Sequence, residues 1–179
     1  YIPEEETERI LRGFCVHPWT MAQQGDKWRA CQDYSVGTNR VTVSGPFSLP
    51  TPWDVRRYLK QDSHFAKYDL RDGFWRVPAS NALRDRLVMR HPATGRLMWC
   101  KTVPFGFVDS PRIFCSVTEA IAQEFRRRVA KRMTQGVTCN ILCYVDDYLL
   151  VGDTEQATRE GGEIFEELLL ELGFEWAPH

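Results

Sequence analysis

Cys139-Asn-Ile-Leu-Cys-Tyr-Val-Asp-Asp-Tyr-Leu-Leu-Val-Gly152 places two adjacent carboxylates, Asp146 and Asp147, between two apolar runs. Ile141 to Val145 and Tyr148 to Val151 are β-branched and aromatic-rich and of strand length, which predicts a tight hairpin with the two acids at its tip. Neighbouring side chains in a continuous strand point to opposite faces, and a turn breaks that alternation, so both carboxylates can lean toward one ion. Acids between apolar strands are costly unless they sit in a turn, where Asp is common, or hold a metal. From this stretch alone both readings stand.

Working outward, Phe65 to Leu70 is strand-like and includes a third acid, Asp69. Ser110 and Pro111 open a helix in which Phe114, Val117, Ile121, Phe125 and Val129 recur at helical spacing, a core stripe. After the acid hairpin, Asp153 or Thr154 caps a long acidic helix to about Leu172, which Gly173 closes before a short strand from Phe174. Upstream, Pro3 to Phe14 reads as a helix with acids in its first turn, and Trp28 to Val43 as strands joined by a Gly37-Thr-Asn39 turn. Thr51 and Pro52 open a helix to about Gln61. Arg84 to Arg90 and Leu97 to Val103 flank Pro92-Ala-Thr-Gly95, a hairpin turn.

With the hairpin at about 84–103 set aside as an insertion, the order is strand, helix, strand, strand, helix, strand. That predicts an α+β fold of the ferredoxin-like βαββαβ type, an antiparallel sheet packed on helices. In it the strand carrying Asp69 lies beside the Asp146–Asp147 hairpin, although 77 positions separate Asp69 from Asp146. Three carboxylates then converge on one edge, and they repel one another unless cations compensate them. Hard oxygen ligands suit Mg²⁺, which keeps waters and substrate phosphates. Two such ions about 3.5 to 4 Å apart can activate a hydroxyl and stabilise a leaving pyrophosphate, so the expected chemistry is nucleotidyl transfer.

The 179 residues are 43% hydrophobic and 26% charged, enough for one globular domain with a sizeable core or one domain plus a small lobe. No apolar run approaches the ~20 residues of a membrane helix, and no secretory segment opens the chain, so an intracellular, cytoplasmic or nuclear protein with no membrane partner is expected. The six cysteines form no CxxC pair, which points to reduced, packed thiols rather than zinc. Net charge is −1, yet Arg84 to Arg132 holds eleven Lys/Arg against four Asp/Glu, and Val137 onward one Arg against ten acids. The sharpest basic cluster, Arg126-Arg127-Arg128 with Lys131-Arg132, reads as a solvated helix end that complements the dipole or as a phosphate contact.

Several strings occur in an order that resembles the reverse transcriptases. Lys27-Trp-Arg-Ala-Cys-Gln-Asp33-Tyr34 is similar to the fingers motif, Tyr68-Asp-Leu-Arg-Asp-Gly-Phe-Trp75 to the first palm motif, and Val103-Pro-Phe-Gly-Phe-Val-Asp-Ser-Pro111 to the template-gripping motif. Tyr144-Val-Asp-Asp147 is similar to the family signature. The resemblance runs from about Gln23 to the C-terminus and is strongest to retroelement enzymes of the LTR or related tyrosine-recombinase-bearing class. Two departures stand out: Gln23-Gln24-Gly25-Asp26 replaces a stretch that carries an additional Lys, and Ser35 stands where a base is common.

This resemblance implies an RNA-directed DNA polymerase core that adds deoxynucleotides to a primer on an RNA or DNA template. Residues 1–64 would be part of a fingers subdomain with an N-terminal helix, and residues 65–179 the palm. Thumb, connection and RNase H would be absent, or supplied by further domains or another chain. It implies that Asp69, Asp146 and Asp147, with the Leu70 carbonyl, hold two Mg²⁺ ions, for which Mn²⁺ can substitute. Lys27 and Arg29 would contact the incoming triphosphate, and Arg71, Asp72, Gly73, Phe74 and Phe105 would line its pocket, with the Phe74 ring excluding a ribose 2′-hydroxyl. Gly106, Pro111, Tyr144 and Val145 would border template and primer. Two other classes fit less of the sequence: a palm serving as a non-catalytic binding or scaffold module, and an RNA-dependent RNA polymerase palm, against which Phe74 argues.

Overall fold

The computed structural model describes residues 1–177, apart from the side chains of Gln24, Lys27 and Arg29. In chain order the elements are α1 (Glu4–Gly13), β1 (Val16–His17), β2 (Trp19–Gln24), β3 (Lys27–Gln32), α2 (Thr38–Val41), α3 (Pro52–Arg56), β4 (His64–Arg71), α4 (Gly73–Arg76), α5 (Asn81–Arg84), β5 (Val88–Arg90), β6 (Leu97–Trp99), α6 (Ser110–Arg132), β7 (Cys139–Tyr144), β8 (Asp147–Gly152), α7 (Glu155–Glu171) and β9 (Glu175–Trp176). They form two compact units, residues 1–45 with 74–113 and residues 46–73 with 114–179. The division is one of contacts rather than chain order. Residues 46–64 join the second unit and the 84–103 hairpin the first, whereas the sequence reading cut once, at 64/65.

The second unit is the α+β fold expected. Its four-stranded sheet has the order β7-β8-β4-β9 with antiparallel neighbours, the split βαββαβ arrangement. Tyr68 of β4 and Tyr148 of β8 lie opposite one another, and their rings meet Phe165 of α7 at 5.1 and 4.8 Å. Phe125 of α6 reaches the same ring at 5.6 Å, so one aromatic side chain joins the sheet to both helices. The Tyr148 hydroxyl also donates to the Thr118 carbonyl of α6 at 3.0 Å.

Local chemistry sets the helix ends. Thr154 caps α7 by accepting from the Ala157 amide at 3.1 Å. At the other end Gly173, at φ +75°, lets its own amide and that of Phe174 close onto the Leu170 and Leu169 carbonyls. α7 sits close on the sheet: at Gly152, the last residue of β8, a Cβ would come within 2.8 Å of the Thr158 backbone nitrogen.

The first unit has its own cores. Tyr34, Ala79, Leu87, Met89, Cys100 and Phe107 form one, and Ile10, Val88 and Leu97 join Ile2 in another. β1 pairs in parallel with β5, which pairs antiparallel with β6 around the Pro92 to Gly95 turn. Three expectations are corrected here. The strand pair read into 28–43 is β2 with β3, turning at Gly25 (φ +59°), and Gly37-Thr-Asn39 opens α2 because the Thr38 hydroxyl donates to the Arg86 carbonyl at 2.7 Å. The segment at 84–87 is helix and turn, so β5 begins only at Val88. In the second unit, the helix opened by Thr51 stops at Arg56 instead of Gln61, where i→i+3 bonds from Tyr58 and Leu59 take over and Lys60 pairs with Asp153 at 2.9 Å.

His17 is fully buried in the first unit, with Nε2 2.7 Å from the Thr38 hydroxyl. Burial pushes its pKa below the ordinary imidazole value. The unfolded chain therefore takes up the proton first as pH falls, so the stabilising contribution is complete above about pH 6.5 and is lost below it. Urea unfolding at pH 7.5 and 5.5 will show stability falling by up to about 1.4 kcal/mol per pH unit from this group, and His17→Gln will remove that step. An unchanged pH dependence in the variant would exclude His17 as its source.

Candidate active site: the acid hairpin

The β4–β8 register aligns Tyr68 with Tyr148 and Asp69 with Asp147. Since the tyrosines face the helices, alternation sends both aspartates to the other face of the sheet. Asp147 is the first residue of β8, and the tip consists of Val145 and Asp146, one position earlier than a tip made of the two acids. The Leu70 amide donates to the Asp146 carbonyl at 3.0 Å, which ties the tip to β4 beside Asp69. The fold thus brings the three sequence-predicted acids to one edge.

Burial first, and then the charges of Asp69 and Asp147, raise the Asp146 carboxyl above the usual carboxylate range. Lys67, two residues before Asp69 and on the same face, places Nζ 3.0 Å from Asp147 Oδ1. Its own pKa is raised, chiefly by that hydrogen bond. Among the described residues, no group of three or more His, Cys, Asp or Glu side chains closes on a common point able to hold an ion. The donor set is nonetheless all oxygen, mutually repelling and open to solvent at Asp69, a chemistry that fits a hard divalent cation.

Other expected residues are distributed over both units. In the second, Leu70 is buried, Arg71 pairs in register with Glu175, Asp72 adopts φ +54°, and Tyr144, opposite Asp147, is 54% exposed. Gly73 is buried where a Cβ would come within 2.8 Å of the Phe114 ring. In the first unit, the buried Phe74 ring packs on Phe105 at 4.8 Å, and Gly106 takes φ +88° with a Cβ position only 3.0 Å from the Gln32 carbonyl. Pro111 lies in the first turn of α6, after Ser110, whose hydroxyl donates to the Pro104 carbonyl at 2.6 Å. Lys27 and Arg29 belong to β3, and their side chains lie outside the described residues.

Two residues were missed by sequence reasoning. Lys67 carried no motif, and only the strand period two places before Asp69 marks it. Asn39 donates to the Gly106 carbonyl at 2.8 Å and accepts from the Val108 amide at 2.9 Å, which shapes the Phe105–Val108 loop. The basic cluster reads differently in three dimensions. Arg127 and Arg128 both bind Glu124, Arg128 reaches Glu171, Arg132 reaches Glu167 and Arg126 reaches Glu119. Arg127 and Arg128 hold Glu124 down to about 2; three of these pairs lie within α6 and two, to Glu171 and Glu167, link it to α7. Among the described residues the cysteines form no disulfide; burial pushes Cys139 and Cys143 up to about 11, as packed thiols require, whereas Cys15 is exposed.

Residues 24–179 match the family model described as "Reverse transcriptase (RNA-dependent DNA polymerase)". The chain belongs to the reverse transcriptase family. The Gag-Pro-Pol polyprotein of bovine leukemia virus is 30% identical over 97% of the chain, and the RNA-directed DNA polymerase homolog of Oenothera berteroana is 27% identical over 54% of it. The chain spans 13% of the first and 66% of the second. A foamy viral protease-reverse transcriptase solved in complex with double-stranded DNA superposes with a TM-score of 0.70 at 20% identity, covering 90% of this chain and 26% of that one, a likeness of fold. Viral polyproteins among the relatives are compatible with an LTR-type class. No helix among the described residues is long and apolar enough to cross a membrane.

Val145, a β-branched residue at φ +57°, stores strain of about 1–3 kcal/mol at the hairpin tip. Val145→Gly relieves it at an entropic cost of about 0.5–1 kcal/mol, so the variant is expected to melt at a higher temperature by calorimetry. A lower melting temperature would show that the tip is not strained.

Proposed function

We propose that this chain is the catalytic core of an RNA-directed DNA polymerase, extending a primer with deoxynucleotides by two-metal nucleotidyl transfer. The observation that carries the reading is the register that sets Asp69 against Asp147 with Asp146 tied to Leu70, in a chain of the reverse transcriptase family. The second unit would be the palm and the first part of the fingers. Thumb, connection and RNase H functions would come from further domains or another chain.

Asp69, Asp146 and Asp147, with the Leu70 carbonyl, would hold two Mg²⁺, with Mn²⁺ as a substitute. When bound, such a pair supplies Lewis-acid stabilisation of the attacking and leaving oxygens. The protein's own part is positional. Strand pairing fixes Asp69 and Asp147, and the half-buried tip holds Asp146 with few rotamers to lose. Lys27 and Arg29 would neutralise the triphosphate, with the guanidinium fork adding geometry to charge. Arg71, Asp72, Gly73, Phe74 and Phe105 would frame the nucleotide. The tilted Phe74–Phe105 contact, 4.8 Å between centroids, supports an aromatic wall where a ribose 2′-hydroxyl would clash. Gly106, Pro111, Tyr144 and Val145 would meet template and primer, and cysteines without a disulfide among the described residues accord with a reducing compartment, cytoplasmic or nuclear.

Primer extension on an RNA template with Mg²⁺ and deoxynucleotides, with thumb-bearing sequence restored, tests the reading. Asp69→Asn and Asp147→Asn are each expected to lower the rate by at least about a hundredfold. Phe74→Ala is expected to raise ribonucleotide incorporation relative to deoxynucleotide. Full activity in Asp147→Asn would overturn the assignment, and no extension at all by the restored enzyme would favour a non-catalytic scaffold. A preference for ribonucleotides in the unaltered enzyme would point to RNA synthesis.

A further inference from the structure

Lys67 occupies a position that the chemistry of the acid cluster leaves for a cation. It stands in β4 opposite Leu149, one alternation step from the Asp69–Asp147 pair, on the face that those two carboxylates share. Its ammonium lies 3.0 Å from Asp147 Oδ1, and both side chains are partly exposed, at 58% and 40%. The pair is therefore mobile enough to break, because a solvent-exposed ion pair contributes only about 0.2–1 kcal/mol. An ammonium is also a compact point charge on a flexible stem, able to leave and return without moving the backbone. The hairpin itself is pinned by strand pairing and by the Leu70–Asp146 hydrogen bond, so the acids cannot relax their repulsion by separating. In this conformation the carboxylates do not close on one point, and the one nearest Lys67 is turned to it.

We infer that Lys67 is a positioning residue that acts as a tethered counter-cation. Its ammonium holds the Asp147 carboxylate while no divalent ion is bound, is displaced when one binds, and so sets the affinity of the acid cluster for that ion. This rests on the reading of Asp69, Asp146 and Asp147 as metal ligands. The exchange is noncovalent: one cation leaves a carboxylate as another arrives. Its consequence is a site whose like-charge repulsion is offset when empty of metal, at the cost of weaker metal binding.

Mn²⁺ binding to the 179-residue chain, followed by the electron paramagnetic resonance of free Mn²⁺, tests the inference together with melting temperatures in chelator and in excess Mg²⁺. Lys67→Met and Lys67→Gln are expected to bind Mn²⁺ up to about fivefold more tightly than the unaltered chain, the ceiling that an exposed ion pair of about 1 kcal/mol allows. Both should melt lower in chelator, with the gap closing in Mg²⁺. Lys67→Arg, which keeps the charge, should stay near the unaltered affinity. Equal Mn²⁺ affinity and equal melting in chelator for Lys67→Met and the unaltered chain would overturn the inference and leave the metal reading intact. If neither chain binds Mn²⁺ specifically, and Asp147→Asn behaves as they do, the metal reading falls and the inference with it.

Discussion

The antiparallel register between β4 and β8 is the constraint on which the rest of the second unit depends. It aligns Tyr68 with Tyr148 on one face and Asp69 with Asp147 on the other. A slip of one residue would carry the tyrosines into solvent and the aspartates into the aromatic core around Phe165. Each large aromatic side chain lost from such a core costs about 3–5 kcal/mol, and an unpaired buried carboxylate adds a desolvation penalty. The forces that fix the acid pair are thus hydrophobic, applied from the opposite side of the sheet. The chemistry of the exposed face is positioned by packing that never touches it.

How much of this was legible in the sequence depended on how local the signal was. α6 and α7 were readable because Phe114, Ile121 and Phe125 recur with the helical period and because Thr154 and Gly173 mark one helix's ends. The acid hairpin was readable because its strands are apolar runs joined across a two-residue tip. By contrast, β2 is a surface strand without apolar alternation: Met21 is 56% exposed, and no period-2 pattern separates it from a loop. The helix at Thr51 carried a correct cap but no local sign of where it stops, since Lys60 finds Asp153 far along the chain.

The same distinction divides the site residues. Asp69, Asp146 and Asp147 were expected on one edge because motif and topology agreed, and the register aligns Asp69 with Asp147. Asn39 was assigned to a turn, although its side-chain partners lie 67 and 69 residues away and no local pattern encodes them. The arginines of α6 carried an unmistakable charge run whose partners are glutamates of α6 itself, Glu119 and Glu124, and of α7, Glu167 and Glu171. A basic run is an available cation only where no acid meets it in the fold, and here the acidic C-terminal third supplied the partners of Arg128 and Arg132, Glu171 and Glu167. The two charge blocks that made opposite impressions in sequence are partners in one unit.

Backbone strain falls beside the acids as well. Among the described residues the non-glycine positions with positive φ are Asp72 and Val145, one following the Asp69–Leu70 pair and the other preceding Asp146. Asp tolerates the left-handed region because its short side chain can bond locally. Valine does not, so the tip conformation persists only because strand pairing on both sides over-determines it. A relaxed valine would rotate the Val145–Asp146 peptide and disturb the Asp146 carbonyl that accepts from Leu70, and with it the approach of the third carboxylate to the other two. The tip strain and the ion pair at Lys67 are thus both tied to the strand pairing that sets Asp69 against Asp147, and the stability of those strands is supplied by the aromatic packing on the other face of the sheet.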